Sequence, residues 1–68
     1  MNETFGSKTG QKLAWAMYRA RLTKTLSFLE DNLQGAEDDA VRDQIVRQIE
    51  RHKGYLKRAD ERLSEFEG

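Results

Sequence analysis

The chain has 68 residues, no cysteine and one histidine, and its 12 basic and 12 acidic side chains cancel to zero net charge. That composition excludes a disulfide scaffold, supplies too few soft ligands for a zinc site, and gives no whole-molecule field toward nucleic acid or membrane. A core this small is marginal, so with disulfides and metals set aside the remaining source of stability is oligomerisation.

Charged residues make up 35% and apolar ones 37%, and there is no proline. This is the composition of long solvated helices, with nothing to kink them. Residues 1–8 read as a flexible leader whose apolar members are Met1 and Phe5. With Asn2, Glu3 and Gly6 they do not have the basic-then-apolar pattern of a secretory leader. No apolar run approaches the ~20 residues of a membrane span. The expectation is a soluble protein without membrane association, and the absence of cysteine favours the cytoplasm.

Ser7 or Thr9 can cap a first helix expected over about 9–34, because a hydroxyl there accepts from the free amides of the first turn. Gly35 stands where a left-handed C-terminal residue is expected, placing a turn at about 35–36. A second helix is expected over about 37–66, opened by Glu37, Asp38 and Asp39 against its positive dipole end. So short a connection lays the helices antiparallel. The predicted fold is all-α, an antiparallel two-helix hairpin that pairs into a homodimeric four-helix bundle.

The apolar patterns of the two helices differ. In the second, Val41, Ile45, Ile49, His52, Leu56, Ala59, Leu63 and Phe66 alternate in steps of three and four, a heptad seam with one histidine in it. His52 is expected to set register or oligomeric state, and in a twofold dimer it could meet its symmetry mate and make assembly pH-sensitive. In the first helix Trp15, Tyr18, Leu22, Leu26, Leu29 and Leu33 form a stripe expected to face the second helix. Leu13, Met17, Ala20 and Phe28 project onto the opposite side. A hairpin offers only one neighbour, so this second apolar side is the predicted protein interface, for a second copy or another protein.

Two stretches are locally basic. Lys12 to Lys24 holds four cations and no acid, and Arg47 to Arg58 holds five cations against Glu50. Their antiparallel pairing would make a basic middle band, with Arg19, Lys24, Arg47, Arg51 and Lys57 as candidate nucleic-acid contacts. Trp15 and Tyr18 are assigned to the core, which leaves Tyr55, near Arg51 and Arg58, as the aromatic able to touch a ligand. For catalysis there is no cysteine nucleophile, no glycine-rich phosphate loop and no metal constellation, so neither enzyme activity nor a cofactor is expected.

The run Thr25-Leu26-Ser27-Phe28-Leu29-Glu30, leading to the acidic turn at Glu37, Asp38 and Asp39, resembles the Rop family of plasmid RNA-binding four-helix-bundle dimers. The resemblance covers about fifteen residues. It implies a homodimer of antiparallel hairpins whose first helices present an RNA-binding face. The family's RNA-contacting Asn, Phe and Gln fall at Ala16, Ala20 and Lys24, so architecture is carried over and the RNA contacts are not. The functional expectation is therefore a small non-enzymatic protein-interaction or regulatory module acting through apolar helix faces, with nucleic-acid binding by the basic band as the alternative.

Overall fold

The structure, a computed structural model, describes residues 7–67. Two helices, α1 (Lys8–Gly35) and α2 (Asp39–Glu67), pack against each other as an antiparallel hairpin. Most of the expected leader, Phe5 included, lies outside the described residues.

The caps explain the helix limits. Ser7, extended at φ −83° and ψ 160°, takes the N-cap, and its hydroxyl accepts from the Gly10 amide at 3.0 Å. Thr9 is already inside α1. At the other end Gly35 is not left-handed: no glycine among the described residues has positive φ, and Gly35 is the last residue of the helix. The chain leaves instead through extended Ala36, whose amide donates back to the Leu33 carbonyl at 3.3 Å.

The turn is consequently later than expected. Asp38 caps α2, its carboxylate accepting from the Ala40 amide at 2.9 Å and its carbonyl from the Arg42 amide at 2.9 Å. The Arg42 side chain then donates to the Ala36 carbonyl at 2.7 Å, so one arginine ties the start of α2 to the end of α1. Of the three turn acids only Asp39 lies in the first turn of α2.

Between the helices the core is small: Leu22, Leu26, Ile49 and Ala59 are buried. Ala59 is fully enclosed, and its single methyl lets the backbones approach there. Trp15, Leu29 and Leu33 of α1 and Ile45, His52, Leu56, Leu63 and Phe66 of α2 are half-buried around them, as the stripe and seam predict. Val41 departs from that pattern at 48% exposure, because in the first turn of α2 it sits at the edge of the pairing, beside Leu29 and Asn32.

The outline is a plate of 52 × 23 × 13 Å, about one side-chain-clad helix thick. Its radius of gyration is 15.6 Å, against ~11 Å expected for a compact domain of this length. Stable domains are built from at least two packed layers, and this hairpin is one.

Gly54 lies inside α2 with nothing within 4 Å of the position a Cβ would take. Gly54→Ala is therefore expected to stabilise the helix by ~0.5–1 kcal/mol, because alanine loses less backbone freedom and meets no neighbour. Thermal melting followed by circular dichroism should show a Tm higher by a few degrees.

Candidate interaction surfaces

Leu13, Met17, Ala20 and Phe28 recur at helical spacing on the side of α1 turned away from α2. Leu13 is 58%, Met17 62% and Phe28 66% exposed, and Ala20 is exposed too. The fold thus gathers all four predicted interface residues on one side of one helix and leaves them in water. Burying a methionine or phenylalanine side chain is worth ~1.5–3 kcal/mol, so this side has more to gain from a partner than any polar part of the surface.

The five predicted nucleic-acid contacts are all exposed but do not share a face. Arg19 pairs with Asp60 across the helices, a bond between half-exposed side chains worth under ~1 kcal/mol. Lys57 borders a shallow depression with Lys53 that also contains Asp60 and Glu61, so acids offset its charge. Arg51 projects ~120° away from Lys57 around α2, and Lys24 falls among Met17 and Phe28 on the outer side of α1. The basic band of the sequence is thus dispersed around the hairpin.

One flank of the plate carries an arrangement that the one-dimensional pattern does not display. Ala14, Trp15 and Tyr18 from α1 and Tyr55 and Arg58 from α2 line a groove of about 450 Å³. Trp15 and Tyr18 meet edge to face with ring centres 5.7 Å apart, and the Arg62 guanidinium lies 5.9 Å from the Trp15 ring centre. Tyr55 meets the His52 ring in the same manner at 5.4 Å.

Tyr18, assigned to the core from its stripe, is 39% exposed. It stands at the edge of the stripe, on the flank where Tyr55 of α2 is itself exposed, so no aliphatic residue covers it. Tyr55 is accessible, as expected. His52 is half-buried, with Nδ1 2.8 Å from the Gln48 carbonyl, so the proton of that nitrogen is donated within its own helix.

Sequence reasoning missed the groove because Tyr18 and Tyr55 are far apart in the chain and meet only through the antiparallel register. A signal was present nonetheless. Projected around α2, Asp39, Asp43, Glu50, Asp60, Glu61, Glu65 and Glu67 all fall within one sector, leaving the sector with Gln44, Gln48, Arg51, Tyr55 and Arg62 without an acid.

Among the described residues no cluster of histidine, cysteine or carboxylate side chains is arranged to hold a metal, and no helix is long and apolar enough to cross a membrane. Comparison with protein families, with curated proteins and with solved structures returns no match for this chain.

Proposed function

We propose that this chain is a non-enzymatic helical interaction module whose working state is a homodimer joined through the outer side of α1. One observation carries the reading: Leu13, Met17 and Phe28 stand 58–66% exposed along one side of a helix in a plate only one layer thick. A second copy set against that edge gives α1 a second helical neighbour and covers the same residues on both chains.

The spacing of that side is self-complementary. Leu13, Met17, Ala20, Lys24, Phe28 and Asp31 follow in steps of 4, 3, 4, 4 and 3, and laid antiparallel on a second copy they pair about a centre near Leu22. Met17 then meets the partner's Phe28, small Ala20 accommodates the stem of the partner's Lys24, and Leu13 lies beside the partner's Asp31. An isologous contact requires such reciprocal pairing, in which residue i meets j and j meets i. The four helices would be ordered with the two copies of α1 at the centre and α2 flanking each, making helical pairs of the kind used in four-helix assemblies.

Light scattering across a concentration series tests the reading. The expected molar mass is twice 7.9 kDa, unchanged by high salt because the contact is largely apolar. A mass of 7.9 kDa at every concentration would overturn it.

A further inference from the structure

We infer that the flank groove at Trp15, Tyr18 and Tyr55 is a docking site for an acidic amphipathic helix, distinct from the self-association side of α1. The floor is apolar and aromatic, and no acid lines it. Arg58 is part of the lining, and Arg21 and Arg51 project to the same flank. None of these three arginines makes an ion pair among the described residues, whereas Arg19, Lys53 and Arg62 do. Arg58 also borders a depression with Glu61 and Glu65, while Arg21 and Arg51 have no acid three or four residues away on their own helix. An apolar trough edged by an excess of cations is complementary to a surface that is apolar on one side and anionic beside it.

The shape of the trough selects a helix. Two antiparallel helices leave a straight furrow between them, and a third helix laid in it packs its ridges against both. The furrow continues toward the turn, where Leu29, Asn32, Val41 and Ile45 line a second depression that Asp31 borders at the turn end, so the anionic side of the ligand is matched at the Tyr55 end. From Tyr55 to Val41 is ~21 Å along α2 at 1.5 Å per residue, the span of about four helical turns of a ligand.

A second copy of this chain does not suit the groove. Twofold stacking of this flank on itself would bring Arg21, Arg51 and Arg58 toward their own symmetry mates. Stacked nucleobases do not suit it either, since the Trp15 ring is already engaged by Tyr18 and Arg62.

The test is fluorescence anisotropy of the intact chain with three labelled probes. One is a synthetic peptide of about 18 residues, long enough to be helical, with leucine at i, i+3, i+4 and i+7 and glutamate elsewhere. The second has lysine in place of every glutamate, and the third is an oligothymidylate of similar length. The glutamate peptide should bind, and the lysine peptide should bind at least ~10-fold more weakly, a difference of charge alone. The double variant Arg51→Glu with Arg58→Glu should lower affinity for the glutamate peptide by ~10-fold or more, with helical circular dichroism unchanged because both residues are exposed. Tyr55→Ser, which leaves every charge in place, should weaken the same complex. The inference fails if the glutamate peptide does not bind, if both peptides bind equally, or if neither variant alters binding. Tighter binding of the oligothymidylate than of the glutamate peptide would overturn it in favour of nucleic acid.

Discussion

A chain carrying Met17→Glu and Phe28→Glu is expected to be a folded monomer of about 7.9 kDa at concentrations where the unaltered chain is a dimer. Each substitution occurs twice in a homodimer, so four apolar contacts are lost and four carboxylates are brought to the interface. If each lost contact is worth only ~1 kcal/mol, below the value for full burial, the sum raises the dissociation constant by about a thousandfold. The fold itself should be indifferent, because Met17 and Phe28 are 62% and 66% exposed within the hairpin. Sedimentation equilibrium measures the mass and far-ultraviolet circular dichroism the helix content. Val46→Glu is the control, since Val46 is also exposed but lies on α2. Dimer persisting in the double variant would remove α1 from the interface, and monomer produced by Val46→Glu would transfer the interface to α2.

Ile49→Ala is expected to cost ~2–4 kcal/mol and to lower Tm by roughly 10–25 °C. Ile49 is 6% exposed and is one of four buried residues among those described, so the cavity it leaves opens in the middle of the helix-helix contact. A chain of this length has ~3–10 kcal/mol of stability in total, so this one substitution removes a large part of it. Val46, three residues earlier and 41% exposed, provides the comparison. Val46→Ala should shift the transition by only a degree or two, since little apolar surface is withdrawn from contact. Thermal unfolding at matched protein concentration separates the two, because self-association of any kind would make Tm depend on concentration. Equal shifts for the two variants would mean that the helices do not pack along the seam containing Ile49.

Flat architecture links the two experiments. Among the described residues a core of Leu22, Leu26, Ile49 and Ala59 gives the hairpin a small reserve of stability, and the exposed Leu13, Met17 and Phe28 are the nearest source of more. Among the described residues the helices have no neighbour but each other, so whatever covered α1 would also stabilise α2, and folding would be coupled to association. The groove at Tyr18 and Tyr55 adds a second surface on a different flank, so self-association and capture of an acidic helix would not compete for the same residues.

The helical elements and their inner faces are legible in the residue pattern. Unbroken periodicities of three and four residues, without proline, require two long helices, and the heptad steps from Ile45 to Phe66 selected the residues that α2 turns toward α1. The same periodicity separated Leu13, Met17, Ala20 and Phe28 from the inner stripe, because projection around one helix needs no knowledge of its neighbour.

Features that depend on two segments at once emerge from the packing of α1 on α2. Gly35 ends α1 without a left-handed turn because Ala36 and Asp38 take over the capping and Arg42 reaches back to the Ala36 carbonyl, an arrangement of chain geometry rather than of residue type. Tyr18 is exposed and Arg19 is bound to Asp60 for the same reason: what a side chain meets is set by the register of the opposing helix. The groove of Trp15, Tyr18, Tyr55 and Arg58 exists only once that register is fixed, since its two halves come from different helices and acquire a common wall through packing alone.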